Sequence, residues 1–428
     1  MRRWLWLLLI VGSWCCAACQ GRSAERLVGP ASSAAPPALA RSTAPVATAI
    51  GLPEPMLAGD AARGRELVQR FECNRCHEGT GFGAAPLAKN CFSCHEQILD
   101  GRFPVSPAAL LRFRAHVLSA RDAPSLVAIG DRLESTWVRD YLLAPRDLRP
   151  KLTPTMPRLA LDSAQATDIA LYLTREVKGD TAPPRAAGNA ERGRALMEQK
   201  GCASCHAFGG VPPFTRDESS PENEELTRAA ALAPDLRFTR ERFRAARLVG
   251  WLLDPRAMKP DTRMPNFALA SDEAADIAAY IVQTPRAPEP RVAFVRAPVL
   301  TRRVSFEEVN RQVFSRTCHH CHTDPESSGG DGGPGNTGGF GFAPRGISFS
   351  SHASILSGYV NTRGERHSLF EPLADGTPRL VAALLARHEE IALPSTPSAV
   401  RGMPLGLPPL SAEDIQLVES WVAQGKPL

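Results

Sequence analysis

"CNRCHEGTGFGAAPLAKNCFSCH" occupies residues 73–95 and carries the pattern Cys-x-x-Cys-His twice, with thirteen residues between the copies. The pattern returns as CASCH at 202–206 and as CHHCH at 318–322. Eight of the eleven cysteines therefore stand in four Cys-x-x-Cys pairs, and a histidine follows every pair.

Three chemistries use Cys-x-x-Cys, and their demands differ. A redox-active dithiol needs two activated thiols but no fixed histidine after them. A structural zinc site needs four ligands, which Cys73, Cys76, Cys91 and Cys94 could supply together. Covalent haem attachment needs two thiols for thioether bonds and an imidazole directly after them for the iron. Only this last chemistry explains a histidine after all four pairs. It predicts four covalently bound haem c groups, numbered I to IV along the chain. Haem I would be held by Cys73 and Cys76, haem II by Cys91 and Cys94. Haem III would be held by Cys202 and Cys205, and haem IV by Cys318 and Cys321. His77, His95, His206 and His322 are the corresponding proximal iron ligands.

The chain opens MRRWLWLLLIVGSWCCAACQ, a basic start followed by a short apolar run. The run is shorter than the roughly 20 residues needed to span a bilayer, and it suits a secretory signal. Ala17 and Ala18 before Cys19 resemble a bacterial lipoprotein cleavage site with Cys19 lipidated. Cys16 departs from that pattern, so Cys15, Cys16 or cleavage without lipid remain open. Residues 20–57 are rich in Ala, Pro and Ser and predict a flexible tether. Haem attachment in bacteria takes place outside the cytoplasm. The expected location is therefore the periplasmic or cell-surface side of a bacterial membrane, through a lipid anchor. The net charge of +5 is no nucleic-acid footprint, because haem propionates would offset it. The expected partners are redox proteins, not nucleic acid.

Residues 61–175 and 190–284 repeat one another. RGRELVQRFECNRCH at 63–77 matches RGRALMEQKGCASCH at 192–206, and APSL at 123–126 matches APDL at 233–236. YLLAPRDLRP at 141–150 matches WLLDPRAMKP at 251–260, and both are followed by Met-Pro and a further helical pattern. Module one holds about nineteen more residues than module two between its first motif and AP-x-L, and CFSCH lies within them. A third module opens with FEEVNRQVFSRTCHHCH at 306–322, which predicts an amphipathic helix running into the motif. It closes with Met-Pro at 403–404 and a helix for which Ser411 is the expected cap. Its glycine-rich stretch at 329–346 lacks the Lys-Ser/Thr ending of a phosphate loop and reads as a surface insertion.

This order of elements resembles the class I cytochrome c fold, closely over residues 61–284. The resemblance implies a mainly α protein of tandem cytochrome c-like helical domains with long irregular loops. The expected domains are a signal at 1–19, a tether at 20–57 and a di-haem domain at 58–182. Mono-haem domains would follow at 183–287 and 300–428. The family's distal methionine maps onto Met156, Met264 and Met403, each held extended by the following proline. Met197 and Met258 fall on helical patterns and belong to the core. His116 is the distal candidate for haem II opposite His95, with His77 and Met156 serving haem I; the two distal ligands could be exchanged. His352, His367 and His388 are alternatives to Met403 on haem IV, and His319 and His320 read as incidental. Ligands for all four irons favour an electron carrier over an enzyme with one open haem, such as a peroxidase or an oxyanion reductase. A cytochrome subunit of a larger respiratory complex remains the third reading.

Overall fold

The computed structural model describes residues 57–428 apart from 118–121, 153–154, 178–187, 215–222, 289–292, 326–330 and 393–399. The expected signal, Cys19 and the tether up to residue 56 lie outside the described residues. Residues Pro55–Leu428 form one compact unit, so the three modules share it. Among the described residues no helix is long and apolar enough to cross a membrane.

Each repeat is built on two crossing helices. In module one, helix Ala61–Arg70 is capped by Asp60, whose carboxylate accepts from the amides of Ala62 and Arg63. It crosses helix Ser163–Leu173, and Arg63 pairs with the buried Asp168 of that helix. Module two repeats the device with Asn189 capping Ala190–Gln199 against Ser271–Gln283, and with Arg192 paired to Asp276. Both crossings turn on a glycine. A Cβ on Gly64 would overlap the backbone oxygen of Asp168, and one on Gly193 that of Asp276. The contact is backbone on backbone, which only glycine permits.

The two repeats also meet each other symmetrically. Leu133 and Phe243, at equivalent repeat positions, form an isolated antiparallel bridge. The Glu134 amide donates to the Arg242 carbonyl at 3.0 Å and the Arg244 amide to the Arg132 carbonyl at 2.7 Å. The buried pair Asp131–Arg247, at 2.5 Å, lies beside this bridge.

Module three departs from the repeat. Its entry helix is α-helical only over Phe306–Val309 and widens to a π-helix over Asn310–Cys318. Such widenings place a functional residue out of ordinary register, and here the His319 amide reaches back to Phe314. Its core is Trp421, Phe314, Ile415, Val309, Val313 and Val381, and Ser411 caps helix Ala412–Ala423 as expected. Helix Arg379–Ala392 and the antiparallel pair Tyr359–Val360 with Arg366–His367 complete it. The glycine-rich stretch is not a surface insertion. A Cβ on Gly335 would overlap the His322 ring, and one on Gly341 would overlap the Phe71 ring. The absence of side chains lets this backbone press against the fourth motif and against module one.

Gly193→Ala and Gly64→Ala should each destabilise the protein by about 1–3 kcal/mol, the usual cost of overpacking. Gly83→Ala should be neutral, because a Cβ there has no neighbour within 4 Å. Denaturant midpoints check this; an unshifted midpoint for Gly193→Ala would contradict the close crossing.

Candidate functional site

One cavity of about 1550 Å³ lies between modules one and three, and three of the four motifs line it. A pocket for one small ligand is typically about 300–1,000 Å³, so this volume suits more than one group. Motifs one, three and four are closed turns. The histidine amides of His77, His206 and His322 donate back to the first cysteine's carbonyl at 2.9, 2.9 and 3.1 Å. The turn brings two sulfurs and the imidazole together. The second motif instead opens helix Cys91–Leu99, capped by Asn90, and its His95 is buried.

The repeated AP-x-L stretch has a direct role. His77 donates from Nδ1 to the Pro124 carbonyl at 2.7 Å, and His206 to the Pro234 carbonyl at 2.8 Å. That bond fixes the tautomer and leaves Nε2 with its lone pair free for a metal. Burial lowers the pKa of both rings, and it lowers that of His322 to about 4. These are neutral imidazoles, the form that binds iron. The Nδ1 of His322 is buried without a hydrogen-bond partner among the described residues, facing the Gly335 backbone.

Most of the thiols shift against the dithiol reading. Burial pushes Cys94 and Cys202 up to about 11 and Cys73, Cys318 and Cys321 up to about 12. An activated dithiol requires the opposite shift. Cys76 and Cys91 hydrogen-bond to each other, which raises the pKa of Cys76 and lowers that of Cys91. Among the described residues no group of three or more Cys, His, Asp or Glu is arranged to hold a metal ion.

Met156 and Met403 line the same cavity as motifs one, two and four. Their segments are tied together. The Thr155 amide donates to the Gly406 carbonyl at 3.0 Å, Arg401 donates to the Arg158 carbonyl at 2.6 Å, and Arg158 pairs with Glu390 at 3.2 Å. Met264 stands in module two, where the Trp251 indole N–H donates to its sulfur at 3.2 Å. Met197 and Met258 are buried in the core as expected. His116 belongs to helix Pro107–Val117, but its side chain lies outside the described residues. His352 and His388 donate to the carbonyls of Lys426 and Leu410. His367 contacts Asn361 and the Tyr359 ring. None of the three lines the cavity. His319 lines the cavity and donates to the Phe349 carbonyl at 2.7 Å. His320 also lines the cavity, and its ring centroid lies 5.5 Å from that of His95.

The residues also fit an anionic cofactor. Arg149 and Arg242 line the cavity without a carboxylate ion pair among the described residues. Burial lowers Arg149, and it lowers Arg132 and Arg242 to about 10 and about 9. The Nε atoms of Arg132 and Arg242 are buried without partners. Clustered, desolvated guanidiniums of this kind call for a facing anion, and the carboxylates of a haem provide one. None of these arginines stood out in the sequence, because their isolation from carboxylates is a property of the fold.

Residues 190–285 match the cytochrome c family model. This cytochrome c domain contains CASCH, Pro234, Trp251 and Met264, and the match supports a c-type, haem-based electron-transfer protein with covalently held haem c. No curated protein and no solved structure matches the chain.

Because folded His322 takes a proton only near pH 4, against about 6.5 when unfolded, the unfolded chain binds more protons between those values. Stability of the haem-free chain should therefore fall as pH drops through that window and stay flat above it. Denaturation midpoints from pH 7 to 4 check this, and His322→Gln should lessen the slope, the lowered rings of His77, His206, His319 and His320 keeping the rest; an equal slope in the variant would contradict the buried, neutral ring.

Proposed function

We propose that the chain is a tetrahaem c-type electron carrier working outside the cytoplasm and held to a bacterial membrane through lipid on Cys19. The observation that carries it is the convergence of three complete attachment motifs on one cavity, beside a separate cytochrome c domain. Bound haem c supplies a one-electron couple at iron. The protein's own part is to hold, orient and shield. The cysteine pairs attach the groups, and His77, His95, His206 and His322 present neutral imidazoles. Met156, Met264 and Met403 offer thioether sulfurs, which raise reduction potential relative to a second histidine. The buried arginines balance carboxylate charge, and the apolar wall excludes water.

Contacts between motifs support the spatial order III–I–II–IV. Lys151 donates to the Ser204 carbonyl of the third motif at 2.6 Å, and the Asp235 amide to Leu148 at 2.8 Å, so motif three abuts a loop lining the cavity. The Cys76–Cys91 contact joins motifs one and two. The His95–His320 contact joins motifs two and four. Redox proteins at the two ends of this series are the proposed partners, with residues 58–182, 183–287 and 300–428 as its domains.

The mature protein should be six-coordinate and low-spin at every iron, and slow to bind carbon monoxide or cyanide. Met264→Ala should open one iron, visible as a high-spin ferric signal and uptake of one carbon monoxide. A wild-type protein with a high-spin haem that turns over peroxide or nitrite would replace the carrier reading with an enzyme. Detergent partitioning and a diacyl mass on Cys19 check the anchor; an unmodified mature N-terminus downstream of Cys19 would refute it.

A further inference from the structure

His320 occupies the second variable position of CHHCH. Like Cys318, Cys321 and His322, it lines the cavity between modules one and three. It enters the cavity beside the second motif, and its ring centroid lies 5.5 Å from that of His95 with the planes inclined by 44°. A metal–imidazole bond is about 2.0–2.1 Å. Two rings sharing one metal thus have ligand nitrogens about 4 Å apart and centroids about 6 Å apart. The observed separation differs from that value by less than a small side-chain rotation would change it.

A second observation concerns partners. The other described histidines outside the proximal set are engaged: His319, His352 and His388 with backbone carbonyls, His367 with Asn361. His320 makes no hydrogen bond among the described residues. It is exposed to the cavity. The ring faces the cavity beside His95 with both nitrogens uncommitted, and a metal takes an imidazole through such a nitrogen. Arg75 holds the same motif position in CNRCH and also reaches another module, pairing with Asp331. In both motifs that position makes the cross-module contact.

We propose that His320 is the distal iron ligand of haem II, opposite His95, so that the attachment motif of module three supplies the sixth ligand to a haem of module one. The proposal rests on the tetrahaem reading and replaces His116 in this role. It makes haem II a bis-histidine centre, the lowest in potential of the four. It also makes the seating of module three on module one depend on haem attachment at Cys91 and Cys94.

The test uses the mature, full-length protein and its His320→Ala, His320→Met and His116→Ala variants. Peptide mass spectrometry first establishes haem on the Cys91–Cys94 peptide in each. His320→Ala should then turn one iron of the four high-spin and raise carbon monoxide uptake from none to one per protein. His320→Met should stay six-coordinate, lose the lowest-potential step and gain one near-infrared thioether band; it decides the matter should the alanine variant fail to mature. His116→Ala should leave all irons low-spin. Haem present on Cys91–Cys94 with every iron low-spin in His320→Ala, or one iron opened by His116→Ala, would overturn the ligand assignment alone. A Cys91–Cys94 peptide without haem in the wild type would instead overturn the tetrahaem reading beneath it.

Discussion

Everything else in the structure is arranged around a volume. About 1550 Å³ lies between modules one and three. Its wall is largely apolar, and such a wall left to water forgoes about 25 cal/mol for every Å² that a fitting group would cover. A domain's net stability is only about 5–15 kcal/mol. The arrangement of the modules therefore gains from a group that fills that space, and covalent attachment through the cysteine pairs would make the filling permanent. Such a protein should couple its folding to cofactor attachment, as metal-dependent domains couple theirs to metal.

The modules are positioned around that volume by polar contacts that leave little freedom. Arg75 is 4% exposed and holds Glu72, the Lys89 carbonyl and Asp331 at once, joining motif one, the approach to motif two and module three. Breaking a buried ion pair by removing one partner costs about 3–5 kcal/mol, because the other charge is left stranded. On the far side of the cavity the two methionine segments are bound by the Thr155–Gly406 hydrogen bond and the Arg158–Glu390 pair. Charge thus clamps both sides of an apolar space, and the symmetric Leu133–Phe243 bridge fixes module two against module one.

Much of this was legible in the sequence, for physical reasons. The motif joins three functional atoms within five residues, so spacing alone identifies it. The glycine in both RGR segments, the AP-x-L stretch and the Met-Pro pairs are local devices, and the repeat displays them twice. Their partners were not legible. That Pro124 and Pro234 accept from His77 and His206 follows only from the folded path of the loop. The glycine-rich stretch looked like a surface insertion because glycine is equally suited to open turns and to close backbone approach. His320 looked incidental because its destination lies in another module, more than two hundred residues away in the chain.

The most direct test of the account is a peptide-resolved mass count of haem on the mature protein. The account predicts four covalent additions. Three fall on the peptides containing Cys73–Cys76, Cys91–Cys94 and Cys318–Cys321, which share the cavity, and one on Cys202–Cys205. Haem confined to Cys202–Cys205, with disulfides or zinc at the other three pairs, would contradict it.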